Sequence, residues 1–405
     1  MNDPRILFVT PYYKPAYVYG GPTRSAATLC EGLVRTGASL TVLTTDANGE
    51  TRLDVPLYEP QNVDGVTVIY YPLGSKFFFY APELAKAVEE RLPRYDLVVI
   101  ESLWLHSFGI TAGLCRRLGI PYVVALRGKL MPWALHKKPL KKQLYLSFTG
   151  RKHLNNAAAL HCTIAEEEQA VKDLSLDAPT FVVANAVDLS GFEEMPERGF
   201  YRRKFGIPDD EYVLLTLGRL FHVKRPDIAV NTLSAVRANG VKAHLILAGP
   251  DSESMIPALK TQARELVITD YVHFTGLLEG DDVLRVLADA DLLLMPSEVT
   301  ENFGRSAAEA MAAGLPIVVS KGISIGAWAV QAGAGMQVDC TNEAFAQAAL
   351  TLLSKPEALA EMGQHGADVA QREFASDVVA QKMLAHYRAI VQTGAPLVEN
   401  SYRVS

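Results

Sequence analysis

Residues 289–319 read DADLLLMPSEVTENFGRSAAEAMAAGLPIVV. A short apolar run at 292–295 gives way to a polar loop, then to a small-residue segment with helical spacing, then to a second apolar run at 317–319. Near-continuous apolar strands separated by helices indicate a parallel sheet covered on both faces. Outward from this stretch the same rhythm fills the chain. Strands are predicted at 5–10, 39–44, 66–71, 96–100, 122–126 and 181–184, with amphipathic helices at 25–35, 82–91 and 107–117. After a polar, charge-rich stretch at 193–203 the rhythm restarts. New strands are predicted at 212–217, 244–248, 272–274, 292–295 and 317–319, with helices at 226–238, 253–266 and 281–288. The reading is an α/β chain of two doubly wound domains, 1–194 and 195–374. The last helical pattern, 375–391, has no strand after it, so 375–405 is expected to cross back onto the first domain. Such sheets bind ligands at the carboxyl ends of their strands, and a cleft between the two domains is expected.

Composition narrows the class. The 405 residues are 49% hydrophobic and 21% charged, ordinary usage for a globular chain of two or three domains. A net charge of −6 gives no global positive field to attract phosphates, which argues against non-specific nucleic-acid binding. Cys30, Cys115, Cys162 and Cys340 are scattered, with neither a CxxC pair nor metal-ligand spacing, and read as reduced core thiols. The start of the chain is not patterned as a signal peptide, and no run of eighteen apolar residues follows. A cytoplasmic protein is expected.

The 289–319 block resembles the signature of the GT-B glycosyltransferases, the retaining group called glycosyl transferases group 1 or family four. Three further stretches match in order: GGPTR at 20–24, NAVD at 185–188 and GRLFHVKRPD at 218–227. RGKLMPWAL at 127–135 and LHCTIAEEE at 160–168 look like a branch of that family often found in surface-polysaccharide clusters. The resemblance spans essentially the whole chain. It implies an acceptor-binding Rossmann-like domain first and a nucleotide-sugar-binding one second, facing each other across a cleft. It also implies a hexose-type transfer from a UDP- or GDP-sugar to a saccharide or lipid-linked saccharide acceptor, with retention of configuration and no metal or other cofactor.

Within that family Glu301 accepts hydrogen bonds from the donor sugar, and Glu309, two helical turns later, accepts the ribose hydroxyls. Asn302, Phe303, Gly304 and Arg305 form the turn into the helix between them. A helix start offers unpaired N–H groups and a positive dipole end, suited to a diphosphate, and Gly304 would let backbone come close to it. A lone carboxylate at 309 among Ala307, Ala308, Ala310 and Met311 is costly unless it meets polar partners. Arg219 and Lys224 follow the strand at 212–217, where two cations can neutralise a diphosphate leaving group. The family's glycine after the lysine is replaced by Arg225–Pro226, which bears on a helix start rather than the chemistry, because proline fits a first turn. Gly20 and Gly21 would let backbone approach the donor phosphates or the acceptor, although a plain turn explains them as well. Asn185 and Asp188 are as well explained by an Asx turn as by a ligand contact.

The pattern frays at the acceptor side. Where many relatives place histidines, this chain reads ESLWLH and LRGKL. Glu101, Trp104, His106 and Arg127 are candidate acceptor residues, with Glu101 able to orient or deprotonate a hydroxyl and Arg127 to bind a phosphate. His106 is equally a packed helix-cap residue. The segment 136–152 (HKKPLKKQLYLSFTGRK) is basic and amphipathic in an acidic chain, and reads as an inner-membrane surface contact or a solvated helix face. Asp289–Ala290–Asp291 spells the DxD metal motif of another glycosyltransferase fold, but a helix-end charge and a strand-edge cap explain it better. Two alternatives stay open: a nucleotide-sugar 2-epimerase of the same fold, and a non-catalytic nucleotide-sugar-binding scaffold.

Overall fold

A computed structural model describes residues 3–136, 139–298 and 303–397. Two compact units divide the chain: Met1–Ala186 with Ser376–Ser405, and Val187–Ala375. The chain thus enters the second unit ahead of the 193–203 stretch rather than within it. The reason is visible in the hydrogen bonds. The Val187 N–H donates to the Phe374 carbonyl, and the start of the Phe200–Phe205 helix is held by Asp289 of the same unit.

The first unit carries β1 (Ile6–Val9), β2 (Leu40–Thr45), a small hairpin of β3 (Ala47–Asn48) and β4 (Thr51–Arg52), β5 (Pro60–Val63), β6 (Val66–Tyr71), β7 (Leu97–Glu101), β8 (Tyr122–Ala125), β9 (Ala159–Cys162) and β10 (Thr180–Val182). Eight of these form one sheet in the order β10-β9-β8-β7-β1-β2-β6-β5, parallel except where β5 meets β6. Alternate residues of single strands bury into opposite cores. Leu7, Val9, Val98 and Ile100 point to one face, and Ile6, Phe8, Leu97 and Val99 to the other. That two-sided burial is why the strands read as unbroken apolar runs. The Ser376–Thr393 helix packs on the Gly21–Arg35 helix. A Cβ at Gly32 would lie 2.8 Å from the Ser376 carbonyl oxygen, so only glycine permits this approach. Arg35 pairs with Asp377 at 2.8 Å beside it.

The second unit carries β11 (Tyr212–Leu217), β12 (Ala243–Ala248), β13 (Val272–Gly276), β14 (Leu292–Met295), β15 (Ile317–Ser320) and β16 (Gly335–Val338). Their order is β13-β12-β11-β14-β15-β16, all parallel. Counted from its own first strand this is the 3-2-1-4-5-6 order of dinucleotide-binding sheets, whose ligand crevice opens where the order reverses. Here that point lies between β11 and β14. Among the described residues no helix is long and apolar enough to cross a membrane.

One buried stack in the first unit titrates. His161, on β9, donates from Nε2 to the Val183 carbonyl oxygen at 2.8 Å; because that partner only accepts, Nε2 carries the proton. His161 stacks on Phe181, and Phe181 on His386 at 4.3 Å. Burial pushes the His161 imidazole down to about 3 and His386 down to about 4. Both rings are therefore neutral in the fold and protonate more readily when unfolded. Their stabilising effect is complete above the ordinary histidine value of about 6.5 and is lost as pH falls toward 4. Denaturant midpoints measured from pH 7 to pH 4.5 should fall, and His386→Phe, which keeps the stack, should fall less steeply.

Candidate functional site

Each unit gathers predicted residues at the carboxyl end of its own sheet. In the second unit a pocket opens at the β11/β14 reversal, lined by Thr216, Gly218, Arg219, Lys224, Ser297 and Ser306. Arg219 follows β11 and projects over the Phe221 ring, 5.1 Å from its centroid. Lys224 ends the His222–Lys224 turn. The Glu298 N–H donates to the Val223 carbonyl at 2.8 Å, tying the loop after β14 to that turn. Backbone contact sets the floor of the pocket. Gly249 has φ 146°, and a Cβ there would sit 1.9 Å from the Gly218 carbonyl oxygen, so no other residue fits.

Gly304 begins the Arg305–Ala312 helix with φ 90°. Its glycine has a reason within the fold, because a Cβ would meet Ile325 at 2.9 Å and Ile323 at 3.0 Å. Phe303 was expected in the donor turn, but its ring is buried edge-on to Phe374 and only its backbone is available to a ligand. Glu309 is half-buried and does meet a polar partner: Arg305 Nε donates to Glu309 Oε1 at 2.8 Å, one helical turn away. Arg305 Nη1 is buried with no hydrogen-bond partner among the described residues. Glu301 and Asn302 lie outside the described residues. The DxD pair is spoken for by the fold. Asp289 accepts the N–H groups of Gly199, Tyr201 and Arg202, while Asp291 accepts from the Val213 N–H at 2.7 Å and from Arg198 and Arg202 at 2.7 and 2.8 Å.

Arg225 occupies a left-handed conformation, φ 46° and ψ 49°, with Pro226 opening the next helix. This explains the family's glycine at that position. Arg225 tolerates the strain while its guanidinium pairs with Asp227 at 2.8 Å. An L-residue there costs about 1–2 kcal/mol, and a partly exposed pair returns less than about 1 kcal/mol. Arg225→Ala, which keeps the strain and loses the pair, should be less stable than Arg225→Gly by about 1 kcal/mol in chemical denaturation.

In the first unit Glu101 ends β7 and Arg127 follows β8, strands that pair in parallel. The two form a fork-shaped ion pair: Nε lies 3.1 and 3.2 Å from the carboxylate oxygens and Nη2 lies 2.6 Å from Oε1. Both side chains are largely buried, Arg127 12% and Glu101 8% exposed. Nη1 donates to Asn185 Oδ1. Burial opposes the Arg127 charge, yet the Glu101 carboxylate more than offsets this and holds the guanidinium above its usual value. Next to it the Gly128 N–H donates to Glu167, a wholly buried carboxylate that also accepts from the Thr163 N–H at 2.7 Å and hydroxyl at 3.1 Å. Burial pushes the Glu167 carboxyl up, and the amides of Thr163 and Gly128 oppose it. Backbone strain concentrates here, with Ser102 at φ 77°, Trp104 at φ 66° and Arg127 at φ 49°.

The remaining predictions divide. Trp104 stands edge-on to Tyr145 at 5.5 Å, with Lys142 Nζ over its face at 5.6 Å. His106 serves packing: its Nδ1 accepts the Ala81 N–H at 3.4 Å, its ring meets Tyr80, and burial lowers its pKa. Gly20, at φ 70°, starts the Gly21–Arg35 helix, and a Cβ on Gly21 would meet nothing within 4 Å. The fold itself therefore sets no steric demand for glycine at 21. Asp188 makes an Asx turn with Ser190, whereas Asn185 turns to Arg127. The Glu101–Arg127–Asn185 cluster and Glu167 were invisible as a unit, because partners 26 and 58 residues apart carry no spacing signal.

Two family models match the chain in succession: a glycosyl transferase 4-like domain over residues 20–186, and glycosyl transferases group 1 over residues 197–369. An uncharacterized glycosyltransferase of Methanocaldococcus jannaschii is 28% identical over 329 residues, covering 78% of this chain and 80% of that one. A GDP-mannose-dependent alpha-(1-6)-phosphatidylinositol dimannoside mannosyltransferase of Mycobacterium tuberculosis is 29% identical over 291 residues, 71% of this chain and 73% of that one. Among solved structures, HepE of Anabaena in complex with UDP aligns with a TM-score of 0.73 at 19% identity, covering 94% of this chain and 98% of that one. The chain belongs to the GT-B glycosyltransferases of the group 1, family-four type.

Removing one partner of the buried ion pair should be costly. Glu101→Ala leaves Arg127 charged and unpaired, and should lower unfolding free energy by about 3–5 kcal/mol. Glu101→Leu combined with Arg127→Met removes both charges and should recover most of that loss in the same denaturant titration.

Proposed function

We propose that the protein transfers a hexose from a UDP- or GDP-sugar to a saccharide or lipid-linked saccharide acceptor, with retention of configuration and without a metal. Surface polysaccharide or glycolipid synthesis is the setting this reading favours. The observation that carries it is the β11/β14 pocket, where Arg219 and Lys224 stand with Ser306 of the Arg305–Ala312 helix. Cations and a helix start converge there on one small volume, the arrangement a diphosphate needs. Glu309 lends one oxygen to Arg305 and has a second for a ribose hydroxyl pair. The names of the relatives support both nucleotides, one being GDP-mannose-dependent and one solved with UDP.

In this proposal the departing phosphate takes the acceptor's proton on the same face, inside a short-lived ion pair. The protein then contributes positioning and charge stabilisation rather than a strong base. Glu101, held by Arg127, is accordingly assigned to the site's scaffold and not to proton abstraction. Gly21, open on its outer side, offers first-unit backbone to a ligand.

Calorimetry with UDP, GDP and ADP, in the presence and absence of EDTA, is the direct test. One nucleotide should bind with an affinity indifferent to the chelator. Glu309→Ala and Lys224→Ala should each weaken it by tenfold or more, about 1.4 kcal/mol or above. Binding that needs a divalent ion, or that ignores both substitutions, would overturn the site. Conversion of the nucleotide sugar without any acceptor would point to the epimerase instead.

A further inference from the structure

In the second unit the chain stays paired past the ends of β11 and β12. Leu220 and Asp251 form a further parallel bridge, in which the Leu220 N–H donates to the Pro250 carbonyl at 2.9 Å and the Ser252 N–H to the Leu220 carbonyl at 3.1 Å. Arg219 therefore sits between two backbone pairings, since the Gly218 N–H also donates to the Ala248 carbonyl at 2.8 Å. Lys224 lies beyond the last of them. Its turn, His222–Lys224, runs into the left-handed Arg225 and is tied on one side by the Glu298 N–H to the Val223 carbonyl. A single hydrogen bond fixes one point and leaves rotation about it.

Glu253 holds the same turn from the other side. Its Oε2 accepts the His222 N–H at 2.9 Å and lies 2.7 Å from His222 Nδ1. An ionised carboxylate only accepts, so Nδ1 carries a proton. The His222 N–H, and after it the ring, hold the Glu253 carboxyl below the usual carboxylate range, which keeps it ionised and accepting. Glu253 itself stands on a fixed segment. Ser252 before it is bonded to Leu220, and Asp251 accepts the Met255 and Ile256 N–H groups at 2.7 and 3.1 Å where the Ile256–Glu265 helix starts. Ser254 takes a left-handed φ of 56°, which persists where the surrounding bonds over-determine it. The helix read from 253 in the sequence thus begins only at Ile256, and Glu253 is left in the loop.

On charge alone a carboxylate is out of place here. Arg219 and Lys224 line the pocket that the donor reading gives to a diphosphate, and an anion bonded two residues from Lys224 repels such a ligand. Nor does the pair serve the fold. His222 and Glu253 are 69% and 42% exposed, and a pair so exposed adds little to stability. What it does supply is geometry. Two bonds to one oxygen, one from backbone and one from the ring, fix the entry to the turn just ahead of Lys224.

We propose that Glu253 is a positioning residue of the donor site: through His222 it clasps the turn that carries Lys224 and so holds that ammonium at the pocket. This rests on the donor-site reading of the β11/β14 pocket, and Glu253 itself touches neither the donor nor the reacting atoms. A lysine presents a point charge on a flexible stem, so its value to a phosphate depends on where its backbone is held. A turn ordered before the ligand arrives also has less freedom to lose on binding. Affinity for a nucleoside diphosphate then depends on a hydrogen-bond acceptor at 253 and not on a charge there.

The test is calorimetry of UDP and GDP on the full chain, joined to amide hydrogen exchange of residues 221–225 measured without nucleotide. Glu253→Ala should weaken the nucleotide that binds by about fivefold, or about 1 kcal/mol, with the denaturant midpoint unchanged. Glu253→Gln, neutral yet able to accept both bonds, should bind at least as tightly as the wild type. In a Lys224→Ala background Glu253→Ala should cost nothing further, because the clasp acts through that lysine. Exchange should quicken in Glu253→Ala and not in Glu253→Gln. Three results would each overturn the proposal: Glu253→Ala binding as tightly as the wild type or more so, which is what charge alone predicts; the full loss persisting beside Lys224→Ala; or exchange that ignores the alanine. A wild type that binds neither nucleotide, while exchange still responds to Glu253→Ala, would sink the donor reading and leave the clasp on the turn standing.

Discussion

Parallel pairing between strands that are not neighbours in sequence, β1 with β7 and β11 with β14, is the constraint on which the rest depends. At each of these joints the chain has wound outward in one direction and then returns to wind in the other. The loops on either side diverge, and the crevice between them cannot be filled by the sheet's own connections. In the second unit that joint places Arg219 beside Ser297 and Ser306. In the first it makes β7 the central partner of both β1 and β8, which brings the end of one strand, Glu101, against the loop of the next, Arg127.

The two units build their ends by different physical means. The second relies on backbone closeness: Gly249 against the Gly218 carbonyl, Gly304 against Ile323 and Ile325, and a helix start left facing the pocket. Arg219 is exposed there, Lys224 is half-buried, and Arg305 pairs with Glu309 along the helix. The first relies on buried charge. Glu101 and Arg127 are removed from water, which is unfavourable for each alone, and the fork geometry with Asn185 offsets that cost. The left-handed residues at 102, 104 and 127 persist because these bonds, together with Glu167 on the Gly128 amide, over-determine the local backbone.

Much of this was legible in the residues. All eleven predicted strands overlap observed ones, because two-sided burial leaves a near-continuous apolar run that one reads directly. The failures are instructive. β9 carries His161, a polar side chain buried by its bond to the Val183 carbonyl, so its apolar run looked broken. β16 begins with Gly335, required because a Cβ would lie 2.3 Å from the Ile317 carbonyl oxygen, and its remaining residues are only half-buried at the sheet edge. β5 is the antiparallel edge strand, PQNV, which has no apolar face to announce it. The motif at 289–319 gave the family, yet Phe303 within it proved to be core, since a motif records which residues recur together and not which way each side chain turns.

Sequence alone determined what is local or periodic: the strand-helix rhythm, the two sheets, the cations after β11, the carboxylate at 309 and the basic apolar segment after β8. Each depends on near neighbours along the chain, and short-range patterns are what a sequence displays. Tertiary structure decided the pairings that span long separations. Glu101 became the counter-ion of Arg127, Asn185 its third partner, Asp289 the cap of a helix ninety residues earlier, and Arg225 a left-handed stand-in for glycine. None has a spacing that could reveal it, because a buried charge selects its partner by proximity in space after the strands have been brought side by side.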